Sequence, residues 1–325
     1  MSAQFCECGS GLNNLGSSSC PSIMKTIKKH IFVSLYDGDG NRNSINLTDF
    51  DANGILTDSY IASKLHEEDG LKRWYPTPNV YENVESTRTD TTTEEFQSGL
   101  IVRIQNGVQT FMGSLVQVEE SLAARILSNG CSDFGVYEID KDGSIRGEMS
   151  GDGSELYPIK INKGSLDSYS VPEVEGTSVS RVMVTFQYDG TVSEINLKKI
   201  ANSQIEPNML QIASMIDGTL SETEGQTQSS STLYVDFDAK YGGTFGSNIP
   251  IQGKTDPATD WSLLDSTLSP VVISTVQEPA KGKYVFTLTG SPSGEVSLKY
   301  LFGGVGVKST DQEVESNTLK ITLAP

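Results

Sequence analysis

Long apolar runs are missing: nothing approaches the roughly 18 consecutive apolar residues that a membrane-spanning helix requires. The first residues, MSAQFCECGSG, also lack the charged-then-apolar pattern of a signal peptide. Both absences point to a chain made and folded in a cytoplasm. Basic residues are outnumbered, 24 Lys and Arg against 42 Asp and Glu, for a formal charge of -18. No Lys/Arg cluster offers a footprint for phosphates, and a surface this acidic repels nucleic-acid backbones and anionic membranes. Histidine is scarcer still. His30 and His66 are the two, and neither has a recognisable metal or triad partner nearby, so the side chain that most often carries acid–base chemistry is nearly absent. Trp261, one of two tryptophans, reads as a core or edge residue rather than a ligand platform.

Several short motifs fail on inspection. DFDANGILTDSY (49–60) places Asp49, Asp51 and Asn53 at alternate positions, as an EF-hand loop does. An EF-hand also needs a bidentate glutamate at the twelfth place, where this chain has Tyr60. The segment therefore reads as a turn leading into a helix near Ser59–Glu68. GSNIPIQGKT has Asn248 where a phosphate loop needs glycine, and Asp256-Pro257 follows where a helix should begin. GSPSG (290–294) lacks the spacing of a nucleophile elbow. Among so many carboxylates, no pair stands out as a glycosidase couple. No residue is assigned a catalytic role, no cofactor is implied, and the chain reads as a non-enzyme.

Of the four cysteines, Cys6, Cys8 and Cys20 crowd the start and Cys131 stands apart. Three readings of the first group stay open. Cys6, Cys8 and Cys20 with His30 supply four ligands of the kinds that zinc takes, although structural sites favour C-x2-4-C pairs. A Cys8–Cys20 or Cys6–Cys20 disulfide is the second, unusual for a cytoplasmic product. The third is a Gly/Ser-rich arm with reduced thiols.

What the sequence does contain is β-branched and aromatic stretches separated by Gly, Ser and Asp. Residues 1–30 read as an irregular Cys/Gly/Ser-rich arm ending in KTIKKH. Residues 31–218 read as a β-rich α+β domain, with strands at HIFVSLY, GLIVRIQNG, VQTFMG, FGVYEID and SRVMVTFQY. Asn106-Gly107, Asp189-Gly190 and the turn in EIDKDGSI predict hairpins. SLVQVEESLAARILSNG predicts a helix opened by a Ser114/Gln117 capping box and closed at Asn129-Gly130; a second helix is expected near Pro207. Residues 219–232, TLSETEGQTQSSST, read as a protease-sensitive linker. Residues 233–325 read as an immunoglobulin-like β-sandwich of six short strands, without the Cys…Trp…Cys pattern of antibody domains. The fold class expected is thus mainly β with some α.

Taken in order, CECGSGLNNLGSSSC, IFVSLYDGDGNRNSI, RTDTTTEEFQSGLIVRIQNGVQTFMG and FGVYEIDKDGSIRGEMSGDG resemble structural proteins of tailed phages, in particular ring and tail components of crAss-like phages. The resemblance spans about residues 5 to 218 and rests on texture and order rather than an invariant motif. The C-terminal part is similar to the immunoglobulin-like domains appended to phage virion proteins. The resemblance implies a ring-forming homo-oligomer between portal and tail, with other virion proteins of portal, neck and tail as partners. It implies a virion location, no specific nucleic-acid binding, no membrane contact and no catalytic residues. On this reading the N-terminal arm is ordered by a neighbouring subunit, and acids such as Asp140, Asp142, Glu119 and Glu120 line a channel that lets DNA slide. A carbohydrate-binding or adhesive surface protein is the alternative.

Overall fold

A computed structural model describes residues 25–323 except 68, 91, 99–100, 106, 174–178, 193, 213, 241–247, 258–259, 291 and 302–313. Strands make up 48% of the chain and the described residues hold two α-helices, so the class is mainly β. The chain divides into two compact units, with the break between Ser214 and Met215.

The first unit is organised by one strand. Phe134–Asp140 is buried at every position, because the sheet it belongs to is covered on both faces. Side chains alternate along a strand, so Tyr137 and Ile139 enter one core while Phe134 and Val136 enter another. Its neighbour Ile27–Ser34 splits the same way, with Ile31 and Val33 on the first face and Phe32 on the second. These two lie at the middle of an eight-stranded sheet that runs Ile45–Asn46, Glu155–Tyr157, Ile145–Met149, Phe134–Asp140, Ile27–Ser34, Tyr75–Pro76, with Ile159–Lys160 and Leu197–Ile200 attached. Helix Asp58–Leu65 closes the first face with Ile61 and Leu65. A four-stranded antiparallel sheet, Asp167–Val171, Arg181–Gln187, Gln109–Val116, Tyr81–Arg88, closes the second, and helix Ser121–Ser128 adds Ala123 to that core.

Several expectations are corrected here. Residues 27–30 belong to a buried strand rather than to an arm; residues 1–24 lie outside the described residues. The expected capping box fails because Ser114 sits within strand Gln109–Val116, its hydroxyl donating to the Glu82 carbonyl at 2.7 Å. Gln117 then turns the chain at φ 57°, and the helix begins only at Ser121. Among the described residues no helix forms after Pro207, where Met209 and Ile212 plug the first core from irregular chain. Asp189-Gly190 does not close a hairpin either: Arg181–Gln187 belongs to the four-stranded sheet and Leu197–Ile200 to the eight-stranded one. The EIDKDGSI hairpin does form, pairing Glu138 with Arg146 and Ile139 with Ile145.

The hairpin expected at Asn106-Gly107 is a ribbon instead. Tyr81–Arg88 pairs with Gln109–Val116 as far as Arg88 and Gln109. The pairing continues outward through Thr89 and Val108, whose backbones bond at 3.0 Å, into the two-stranded Thr92–Glu95 and Ile101–Gln105. Asn106 lies outside the described residues. Gly107 is required for space, since a Cβ there would lie 1.9 Å from the Thr89 carbonyl oxygen.

The second unit has two sheets around one core. One runs Val272–Ala280, Lys283–Thr289, Thr232–Lys240, Ile216–Glu222, Val314–Ser316, with Asn248–Pro250 attached. The other runs Trp261–Asp265, Glu295–Tyr300, Leu319–Thr322. All six expected C-terminal strands are present. Trp261 is a core residue: Phe286, Tyr284, Tyr300 and Phe237 surround it at ring distances of 4.8, 5.4, 5.4 and 5.7 Å, and its indole N–H donates to the Lys254 carbonyl at 2.9 Å.

The linker expected at 219–232 is not one. Ile216–Glu222 is a strand hydrogen-bonded to Thr232–Lys240, and Leu220 is buried in the sandwich core. Asn317 holds its edge like a piece of backbone, accepting from the Leu220 N–H at 2.6 Å and donating to its carbonyl at 3.2 Å. The turn beyond is clamped by the buried Gln228 side chain, which bonds both the N–H and the C=O of Tyr234.

Candidate functional site

Strand register in the first unit lines up three polar side chains on its inner face. His30 is paired with Glu138, and Glu138 with Arg146, across three neighbouring strands. Residues directly opposite on adjacent strands project from the same face. That face is the one covered by the four-stranded sheet, so the row lies in an interior where unsatisfied charge is costly.

Each member meets that cost differently. His30 is fully buried with its ring edge-on to Phe111 at 4.4 Å and against Tyr81 and Phe186 at 5.2 Å. Neither ring nitrogen has a hydrogen-bond partner. Burial, aided by the Arg146 charge, pulls its pKa down to about 3, so the ring is neutral. Glu138, also fully buried, receives the Arg146 Nε–H on one carboxylate oxygen and the Tyr188 hydroxyl on the other. Tyr188 is held well above the usual phenol range, by burial first and by Glu138 second, and stays a donor.

At the Arg146 and Tyr188 end the row opens into a cleft of about 410 Å³. One wall is the base of the ribbon, Arg88, Gly107, Val108 and Gln109; the other is the crossing segment with Asp189 to Val192, Ile195 and Leu197. Asp189 shapes that segment by accepting from the Thr191 N–H at 2.8 Å and hydroxyl at 2.6 Å, and it pairs with Lys160 at 3.1 Å. These bonds, the Thr191 hydroxyl first, hold its carboxyl below the ordinary range. Ile195 is 81% exposed at the rim. The Arg146 guanidinium at the inner end of the cleft is already engaged by Glu138, so the lining combines that ion pair, the Asp189 carboxylate held by Thr191 and Lys160, and an apolar wall.

Apart from His30, the candidate site residues singled out in the sequence lie elsewhere. His30 is sealed among aromatic rings, which takes it out of the proposed zinc set; Cys6, Cys8 and Cys20 lie outside the described residues. Among the described residues no group of His, Cys, Asp and Glu could hold a metal ion. The calcium-like loop is closed on itself. Asp51 accepts from the N–H groups of Asn53 and Ile55 at 2.8 and 2.9 Å, and Tyr60, in the glutamate's place, donates to Asp49 at 2.8 Å. The helix that follows, Asp58–Leu65, is capped by Thr57. In GSNIPIQGKT, the Gly253 N–H is taken by Glu278 at 2.8 Å. Asp140 is fully buried and folds its own turn through the N–H groups of Asp142 and Ser144. Asp142 pairs with Lys25, and Glu119 pairs with Arg125 at 3.1 Å. Glu120 alone of those four is an exposed acid without such a role.

Glu138, Arg146 and Tyr188 were not anticipated from the sequence. A signal was there: a glutamate inside FGVYEID, an otherwise apolar strand, demands a buried partner, and Arg146 follows across the turn. No helix among the described residues is long and apolar enough to cross a membrane. No protein-family model matches the chain, and no curated protein sequence matches it.

Proposed function

We propose that the chain is a structural virion component that oligomerises into a ring in the neck or tail of a tailed phage, where its acidic surface lets duplex DNA pass. The observation that carries this reading is the ribbon. Two-stranded hairpins are at best marginally stable alone, yet Thr92–Glu95 and Ile101–Gln105 extend beyond the sheet that anchors them, with residues 94–98 exposed. Unpaired strand edges invite another chain, and such a projection suits a protein whose working state is an assembly. The net charge of -18 fits a conduit that repels the DNA backbone. Since Asp140, Asp142 and Glu119 are engaged internally, other acids such as Glu120 would supply the lining. On the same reading the second unit is an immunoglobulin-like module appended to the ring-forming one. The carbohydrate-binding alternative has less support, because Trp261, Tyr284 and Phe286, side chains suited to stacking on a sugar, lie in the core.

Size-exclusion chromatography with light scattering, followed by electron microscopy, tests the proposal. A discrete symmetric oligomer with an axial opening wide enough for a duplex, and negligible DNA affinity at low salt, is expected. A monomer, a closed particle, or salt-sensitive micromolar binding to duplex DNA would refute it.

A further inference from the structure

We propose that the outer face of the four-stranded sheet is a self-complementary surface on which two copies of the chain pack about a two-fold axis. An antiparallel sheet with one face on a core ordinarily turns polar side chains to solvent. Here the inner face holds Phe111, Val184 and Phe186, and side chains alternate along each strand. The outer face nevertheless carries Met112, Val116, Tyr169, Val171 and Met183, none of them packed into a core of the first unit. Tyr169 is 48% exposed and the other four are partly exposed. Register makes them contiguous. Val171, Arg181 and Val116 stand abreast in one row, and Tyr169, Met183 and Ser114 in the next. Asp167, Thr185 and Met112 form the third, with Glu85 beside Met112 on the last strand. Contiguous apolar surface of this kind marks a docking site.

The charges on this face point to what covers it. Arg181 lies in the first row and Asp167 and Glu85 in the third, about 13 Å further along the strands. Among the described residues none of the three has an ion pair, and the Arg181 Nε–H is buried without an acceptor. A two-fold axis crossing the strands at Met183 reverses the rows of the second copy. Met183 then meets its own counterpart, Tyr169 meets Tyr169, and Val116 faces Met112. Arg181 lands over Thr185, one strand and so about 5 Å from Asp167. The same contact occurs twice, as an isologous interface requires. Each copy supplies the carboxylate that the other's guanidinium lacks, with the apolar rows between the two ion pairs. A nucleic acid or an anionic membrane would meet two acids here for one cation, whereas a second copy answers both signs. The inference stands apart from the ring reading, since an isologous contact joins copies, or whole rings, in pairs.

The test is a charge swap in the full chain, read by sedimentation and light scattering over a dilution series. Asp167→Arg and Arg181→Glu should each weaken pairing at least about tenfold, since like charges then face each other. The double variant should restore it, and circular dichroism confirms the fold of each variant. In a second arm the native cysteines are replaced by serine and oxidised glutathione is added. Met183→Cys should then give a disulfide-linked dimer, because a residue reaches its own counterpart only where the axis passes. Thr110→Cys, on the same face but off the axis, should not. Pairing that ignores both reversals, or a ring with no two-fold between subunits, would overturn the inference while leaving the ring reading standing. Dimers that never assemble further would support it and overturn the ring reading. A monomeric wild type would overturn both.

Discussion

His30 gives a prediction whose size follows from its surroundings. Its ring is enclosed by Phe111, Tyr81 and Phe186 and faces the positive charge of Arg146, so its pKa is about 3 in the folded chain against about 6.5 when unfolded. The unfolded state therefore binds the extra proton between those values. Stability from the neutral ring is fully present above about pH 6.5 and drains away as pH falls toward 3. Integrating proton uptake between pH 7 and 4.5 gives a loss of roughly 2.5 kcal/mol from this side chain alone. Carboxylates also titrate in that window, so the comparison is with His30→Leu, in which they are unchanged. Urea unfolding of the two proteins at both pH values should show wild type losing about 2.5 kcal/mol more than the variant. A gap between them that does not change with pH would mean the ring protonates normally, and the dry-cage account would be wrong.

Three further outcomes are expected. Arg146→Met should destabilise the first unit by roughly 3–5 kcal/mol, because it strands a buried carboxylate. Tyr188→Phe removes one donor and should cost only about 1–3 kcal/mol; thermal unfolding that ranks them the other way would contradict the network. A fragment beginning at Met215 should fold, whereas one beginning at Leu233 should not, since it lacks strand Ile216–Glu222 and the core residue Leu220; amide dispersion in NMR spectra tells them apart. Leu268 is 74% exposed at φ 62°, a backbone that costs a leucine about 1–2 kcal/mol, so Leu268→Gly should raise the melting temperature of the second unit.

Sequence pattern revealed the strands better than their partners. IFVSLY and FGVYEID read as strands from their β-branched and aromatic content, but nothing local says that His30 meets Glu138. The hairpin reading at Asp189-Gly190 failed for that reason: turn residues report a change of direction, not the sheet in which the chain continues. At Gly107 the glycine answers a need for space against the Thr89 carbonyl, not a turn. Ser114 and Gln117 matched a capping box because the pattern is two residues wide, and strand pairing with Tyr81–Arg88 overrode it. TLSETEGQTQ looked like a linker because its strand carries one large buried residue, Leu220, between a glycine and polar side chains. The candidate site was legible in part, in the lone glutamate of an apolar strand. The cleft was not, since its walls come from segments separated by dozens of residues and joined only by topology.

The central pairing of the first unit also sets a schedule. Ile27–Ser34 is made before its partner Phe134–Asp140, which follows roughly a hundred residues later. Closing so long a loop costs about 4 kcal/mol of chain entropy before any contact across it forms. At ribosomal speeds the strand waits roughly 5–20 seconds for that partner, its apolar IFV stretch having only the two-residue Tyr75–Pro76 to pair with in the meantime. Refolding should accordingly be slow, as expected when distant rather than neighbouring segments must meet. The two lysines at the head of that strand, Lys28 and Lys29, then have a role before the native state exists: they put positive charge on an edge that would otherwise recruit the same strand from the next nascent chain.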